Sequence, residues 1–473
     1  MLFNSLEYLW FFPTIFLVYW ILGNYCSLKI QNIFLLIASY FFYGTWSIFF
    51  LTILLFSTLL DYSLAFKVNH PSKKIAKFFL TVSVLSNIGI LAVFKYYNFF
   101  IHELTETLSN IGIHTSLPLL ELLVPIGISF YTFHGLSYVF DIYRDKQKPI
   151  KNIVDYGLFV SFFPLLVAGP IERANHLIPQ IQQKRIFTFQ QAREGCYLLL
   201  YGFFKKIVIA DSLAHLVNTT FETHQNYTAM SLMLSAIAFS FQIYCDFSGY
   251  SDIAMGSAKL LGFEILSNFK FPYFAKNIRE FWQRWHISLT SWFRDYLFIP
   301  LGGSKGTKSK TILNIILVFI ISGIWHGANW TFLFWGGIHA FIYILYVVVP
   351  KRRKQAKTAS ALKKSLQILS TFGIVTIAWI FFRAKTLTEA FSYCKSIIAN
   401  LYDCPEKFFT GEGLTNTQVI PYILAVLLID WKIKKDERNI GVPIFKKITF
   451  LIVLLIVYKV LTNKEAEFIY FQF

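Results

Sequence analysis

From its amino end the chain alternates long apolar stretches with short polar breaks. The apolar runs centre on 8–24, 31–43, 47–66, 77–95, 119–140, 192–217, 229–247, 311–325, 328–349, 366–382, 418–431 and 444–461. A helix that crosses a bilayer needs about 20 predominantly apolar residues, fewer where the bilayer thins. The runs therefore predict an all-α polytopic membrane protein with about 11–12 transmembrane helices. The stretch 31–66 is too long for one span, and Tyr43-Gly44-Thr45-Trp46 is the natural place to turn it back. Two stretches break the pattern. Phe162-Phe163-Pro164-Leu165-Leu166-Val167-Ala168-Gly169-Pro170 is apolar but short, and two prolines interrupt it, which predicts a re-entrant element. Residues 269–305 are amphipathic, rich in Trp, Arg and Phe, and too charged to span. Irregular backbone at membrane depth survives only where protein or a water-filled cavity covers it, so both stretches are expected beside a site.

Composition agrees with the pattern. Of 473 residues 55% are hydrophobic and only 15% charged, and the mean hydropathy is +0.52. A soluble domain carries about 25% charged residues, so a soluble globular protein is excluded. No Pro/Ser-rich linker, low-complexity tract or repeat divides the chain, and 1–473 reads as a single membrane domain.

The net charge of +18, from 44 basic and 26 acidic residues, sits in short runs between apolar stretches. There it sets topology and meets anionic lipid, which removes nucleic acid as a partner. Basic loops hold Lys67, Lys73, Lys74 and Lys77; Arg144, Lys146, Lys148 and Lys151; and Arg352, Arg353, Lys354, Lys357 and Lys363. Residues 96–118 carry Glu103 and Glu106 but no Lys or Arg. Basic loops stay in the cytoplasm, so the amino terminus is expected outside, with Trp10 to Leu22 a retained first span. Five cysteines (Cys26, Cys196, Cys245, Cys394, Cys404) are scattered without metal-ligand spacing. Cys394 and Cys404 could pair only if their loop is extracytoplasmic, and unpaired thiols are expected.

Ionisable and polar groups inside such a bundle are the candidates for chemistry. His326, in Ser322-Gly323-Ile324-Trp325-His326-Gly327-Ala328-Asn329-Trp330, lies where two apolar spans meet. Gly323 and Gly327, four residues apart, would let another backbone come close; Trp325 and Asn329 flank the ring. His286 follows Arg284 and Trp285, and Arg279, Trp282 and His286 recur at steps consistent with one helix face. The same pattern also describes a helix lying among lipid headgroups. Gln242, Asp246, Tyr250 and Asp252 end an apolar span, and could orient a histidine, bind a polar substrate or satisfy one another. His134 and His339 are apolar-flanked and expected to pack between helices. There is no nucleophile elbow, P-loop, HExxH or paired metal-ligand spacing, so no metal or bound cofactor is expected. What remains is proton transfer, in which a buried imidazole takes a proton from a hydroxyl as it attacks an activated acyl group.

Trp285-His286-Ile287-Ser288-Leu289 together with Trp325-His326-Gly327 resembles the membrane-bound O-acyltransferase family, and within it the polysaccharide- and peptidoglycan-acetylating branch. Supporting stretches are Val124-Pro125-Ile126-Gly127-Ile128-Ser129-Phe130, Ala168-Gly169-Pro170-Ile171-Glu172-Arg173, Tyr244-Cys245-Asp246-Phe247-Ser248-Gly249-Tyr250, Arg294-Asp295-Tyr296-Leu297-Phe298-Ile299-Pro300-Leu301-Gly302-Gly303 and the terminal Phe468-Ile469-Tyr470-Phe471-Gln472-Phe473. The resemblance implies helices around a central tunnel or funnel, His326 as catalytic residue and His286 as the second family histidine. It also implies acetyl-CoA as cytoplasmic acyl donor, an extracytoplasmic glycan acceptor, an SGNH-hydrolase-like partner, and the bacterial cytoplasmic membrane. D-alanyl transfer toward teichoic acid is the alternative within the family. A proton-coupled transporter relaying through His326, His286, Asp246 and Asp252 is the alternative outside it, although no repeated halves are present.

Overall fold

The computed structural model describes residues 1–115, 117–120, 123–349, 360–400, 417–434, 443–462 (side chains from 448) and 469. Among them there are helices and no strand. The helices used below are α1 (Leu6–Tyr25), α2 (Leu28–Gly44), α3 (Ile48–Val68), α4 (Lys73–Asn110), α5 (Ile128–Tyr143), α6 (Ile153–Ser161), α7 (Ala174–Ile181), α8 (Phe189–Phe203) and α9 (Asp211–Glu222). They continue with α10 (Ala229–Leu260), α11 (Ile278–Trp282), α12 (Ile287–Phe293), α13 (Lys308–His326), α14 (Trp330–Val348), α15 (Ala361–Arg383), α16 (Leu387–Ala399), α17 (Ile420–Ile433) and α18 (Pro443–Thr462). Among the described residues α1, α3, α4, α10, α13, α14 and α15 are each long and apolar enough to cross a membrane, as expected of a multi-pass protein. Serine punctuates the early bundle: Ser5, Ser27 and Ser47 each accept the backbone N–H three residues on, capping α1, α2 and α3.

The chain forms two compact units, Met1–Leu199 with Ile253–Leu266 and Leu200–Asp252 with Ser267–Phe473. In the first unit the Arg185 guanidinium is buried. It donates to the Tyr19 hydroxyl at 2.7 Å, to Gln31 Oε1 at 2.9 Å, to Asn32 Oδ1 at 2.7 Å and to the Ile181 carbonyl at 2.8 Å. His134, wholly buried, accepts the backbone N–H of Glu172 at 2.9 Å. That is a packing and tethering role, in keeping with the reading of its flanks.

Several expectations shift in detail. The run at 119–140 yields a helix only from Ile128. Pro125 has no N–H to give, and Gly127 sits at φ 73°, where an added Cβ would come 2.0 Å from the Leu166 carbonyl oxygen. The short stretch at 162–170 contains one helical turn, Phe163–Leu166, whose residues are all buried. The run at 192–217 is broken by a π-helical segment, Phe204–Ala210, between α8 and α9. Cys26, Cys196, Cys245 and Cys394 are free thiols. Cys404, most of the basic run from Lys351, and the terminal aromatic stretch apart from Ile469 lie outside the described residues.

Candidate active site

All the side chains that follow belong to the second unit. His326 is the last residue of α13, and Asn329 opens α14 after a turn of two residues. The turn is this tight because glycines let the helices touch: a Cβ on Gly323 would lie 2.4 Å from the Phe332 carbonyl oxygen, and one on Gly336 would lie 2.5 Å from that of Phe319. A Cβ on Gly327 would lie 2.2 Å from the Phe332 ring. The spacing of Gly323 and Gly327 therefore serves the close approach that it suggested. Asn329 Oδ1 accepts the Thr331 N–H at 2.9 Å to cap α14, while its amide donates to the Lys385 carbonyl at 2.8 Å.

Around the His326 ring stand Trp325 at 4.8 Å, Trp335 at 5.0 Å and Phe382 at 5.2 Å between centroids. Trp325 also meets His286 at 6.0 Å, so the two family-type histidines share one indole. The His286 ring meets Phe247 edge-on at 4.7 Å. Trp335 reaches His339 at 4.9 Å and Trp379 at 5.8 Å, and Trp379 meets Trp285 at 4.9 Å. The result is an aromatic cage around three imidazoles.

His286 is not on one helix face with Arg279 and Trp282. Helix α11 ends at Trp282, and His286 caps α12 with φ 42°. The reversal is pinned from both sides: the Ile287 N–H goes to the Asn268 carbonyl at 2.8 Å, and the Ser288 hydroxyl to Asn268 Oδ1 at 2.5 Å. Asn268 is held in turn by Ser251 at 3.0 Å. A left-handed backbone costs a non-glycine residue roughly 1–2 kcal/mol. His286 is 1% exposed, so its ring faces protein and not lipid headgroups. Neither of its ring nitrogens has a hydrogen-bond partner among the described residues, and the same holds for His339. A buried polar atom without a partner costs about 1–3 kcal/mol. Strain and unsatisfied polar atoms at one residue are a signature of a functional position. Burial holds the His286 imidazole down at about 3, which keeps it neutral.

The carboxylates are different. Asp246 pairs with Lys206 Nζ at 2.8 Å and accepts the Ile469 N–H at 2.6 Å. Asp252 pairs with Lys205, which also donates to the Ser248 hydroxyl at 3.0 Å. Lys206 reaches Asp211 at 2.8 Å as well. Asp430 of α17 accepts the hydroxyls of Tyr201 at 2.6 Å and Tyr244 at 2.8 Å. Buried Tyr250 stands against Lys206, whose ammonium is 5.9 Å from its ring. Gln242 Oε1 has no hydrogen-bond partner among the described residues.

The structure thus brings together His326, His286, Trp325 and Trp285 in the cage, sets Asp246, Asp252 and Tyr250 in a network of ion pairs, and uses Asn329 as a cap. Arg284 is spent locally, with its guanidinium on Glu280 at 2.6 Å and on the Lys270 carbonyl at 3.3 Å. Sequence reasoning missed Lys205, Lys206 and Asp430. The two lysines lie within an apolar run and should have been flagged by the same rule that flagged the histidines. Trp335 and Trp379 carried no signal beyond hydrophobicity.

With this geometry in view, the chain compares clearly with known proteins. The sequence model of the membrane-bound O-acyltransferase family matches residues 35–385. The chain is 36% identical to the Probable alginate O-acetylase AlgI of Pseudomonas aeruginosa, over 91% of this chain and 81% of that protein. It is 34% identical to the Peptidoglycan O-acetyltransferase of Helicobacter pylori, over 84% and 80%. It is 28% identical to the Teichoic acid D-alanyltransferase of Bacillus subtilis, over 55% and 69%.

Proposed function

The chain belongs to the membrane-bound O-acyltransferase family and is an acyltransferase, and from that premise we propose that it moves acetyl from cytoplasmic acetyl-CoA to hydroxyls of an extracytoplasmic polysaccharide, with His326 as general base. The observation that carries this reading is the cage itself, where His326 and His286 share Trp325 and His286 pays both backbone strain and unsatisfied nitrogens to be there.

His326 takes the proton of the acceptor hydroxyl as its oxygen attacks the thioester carbonyl. The tetrahedral intermediate collapses by breaking the C–S bond, and the imidazolium returns the proton to the departing thiolate, leaving an acetyl ester and free thiol. Neutral His286 donates a hydrogen bond to the oxyanion. General base catalysis supplies about 10²–10⁴-fold; positioning of donor and acceptor in a water-poor cage supplies much of the rest. Relatives named for alginate and peptidoglycan support a glycan acceptor, and an SGNH-hydrolase-like protein is the expected extracytoplasmic partner. The charge pattern supports a cytoplasmic-membrane protein with its amino terminus outside, so that α14 descends toward the basic run and the His326 turn faces outward.

D-alanyl transfer is the second reading, favoured by a relative that matches over only about half of the chain. Membrane vesicles given labelled acetyl-CoA test both. Acetyl should enter a glycan fraction, and His326→Ala should reduce incorporation by at least a hundredfold at equal protein level. Full transfer in that variant would end the mechanism, and strict dependence on a D-alanyl carrier would move the chain to the second reading.

A further inference from the structure

Trp335 of α14 is the hub of the cage. Its indole, wholly buried, meets His339 at 4.9 Å, His326 at 5.0 Å, Phe382 at 5.3 Å, Trp379 at 5.8 Å and Trp282 at 5.9 Å between centroids. Its place is fixed from two sides. Gly336, the next residue, lies so close to α13 that a Cβ there would come 2.5 Å from the Phe319 carbonyl oxygen, and Trp379 of α15 stacks behind the indole with 20° between their planes. The Trp335 Nε1–H has no hydrogen-bond partner among the described residues. A buried indole usually finds one, and phenylalanine would pack here without a stranded donor. What the indole adds over a phenyl ring is volume.

The proposed transfer gives that volume a direction. His286, read as the donor to the oxyanion, meets the same indole, Trp325, that flanks His326. With its carbonyl oxygen turned to that side, the acyl group has its alkyl end facing the other walls of the His326 ring, Trp335 and Phe382. Phe382 is backed in turn by Phe332 at 4.9 Å. A longer chain would have to enter space that the indole fills, and close-packed interiors yield little.

We propose that Trp335 sets the length of the acyl group, admitting acetyl and excluding longer chains by its bulk beside His326. The inference rests on the reading of His326 as the transfer centre and of an acyl-CoA as donor. It deepens that reading, because the two-carbon limit then lies in one side chain of the cage.

The test is the affinity of the full chain in nanodiscs for S-ethyl-, S-butyl- and S-hexyl-coenzyme A, thioethers that lack the carbonyl and cannot transfer. The unsubstituted chain should bind the ethyl thioether at least a hundredfold tighter than the hexyl, since one methylene in a fitted pocket already discriminates about 10–200-fold. Trp335→Phe, the gentler change, should raise the affinity for the butyl thioether relative to the ethyl at least tenfold, with the hexyl still rejected. Trp335→Ala should do the same for the hexyl thioether, and vesicles carrying it should gain release of free thiol from hexanoyl-CoA. A packing role alone would lower all three affinities together. Ratios that stay flat in both variants, or in Trp335→Phe where the alanine variant fails to fold, overturn the gate even if His326→Ala abolishes transfer. Ratios that follow Trp335 while His326→Ala transfers in full keep the gate and overturn the general base. If no thioether binds, the donor reading and the gate fall together.

Discussion

Two polar regions of the second unit show how differently a membrane bundle can spend its costly groups. Around Asp246 and Asp252 the charges are met: Lys205, Lys206, Asp211 and a backbone N–H close the network, and Asp430 beside it takes two tyrosine hydroxyls. Around His286 and His339 the ring nitrogens have no hydrogen-bond partner among the described residues, and the backbone at His286 is strained as well. The first arrangement compensates its buried charges. The second leaves a cost uncompensated, and such a cost persists only where the surroundings enforce it. Satisfaction, more than charge, separates scaffold from site. By this standard the carboxylates, which look like the stronger chemical candidates on paper, hold the helices, and the proposed chemistry falls to the imidazoles of His326 and His286.

The contrast can be broken most forcefully at Asp252. Asp252→Ala leaves the Lys205 ammonium buried without its ion-pair partner, held by the Ser248 hydroxyl and the faces of Tyr201 and Tyr244, and should cost about 3–5 kcal/mol. The loss would be read as a large drop in thermal midpoint in detergent and poor recovery of folded protein. Lys205→Met with Asp252→Leu should regain most of the stability and transfer rate; a stable but inactive double variant would give the carboxylate a chemical role. Next in size is Gly323→Val, whose side chain must displace the backbone at Phe332. Overpacking of this kind costs about 1–3 kcal/mol, and because it pries α13 from α14 it should cut transfer more than it cuts stability.

The same contrast is sharpened by His286→Asn. Asparagine tolerates the left-handed backbone, so stability should hold within about 1 kcal/mol, while transfer falls about tenfold or more. An unchanged rate would reduce His286 to packing. The smallest effect is expected at Asn329→Ala, where loss of the cap on α14 and of the tie to the Lys385 carbonyl costs about 1 kcal/mol, visible as a shift of a few degrees in the thermal midpoint with transfer nearly unchanged.

How much of this could be read without coordinates follows from the range over which each feature acts. Apolar runs are local, and α1, α3, α13, α14 and α15 lie close to where the pattern placed them. The glycine spacing beside His326 is local too, and it marked the helix contact correctly. The left-handed turn at His286 depends on Asn268, 18 residues earlier by number, and left only a helix-like periodicity to be misread. The partners of Asp246 and Asp252 lie on a π-helical segment some 40 residues away. No local pattern pairs them, although the lysines themselves were in plain view.

The most direct test measures acetyl transfer and thermal midpoint side by side in His326→Ala and in the Lys205→Met/Asp252→Leu double variant. The account predicts a crossover: His326→Ala keeps the wild-type midpoint and loses transfer by at least a hundredfold, while the double variant, corrected for its folded fraction, transfers at close to the wild-type rate. Transfer that survives without His326, or that vanishes in a well-folded double variant, would contradict it.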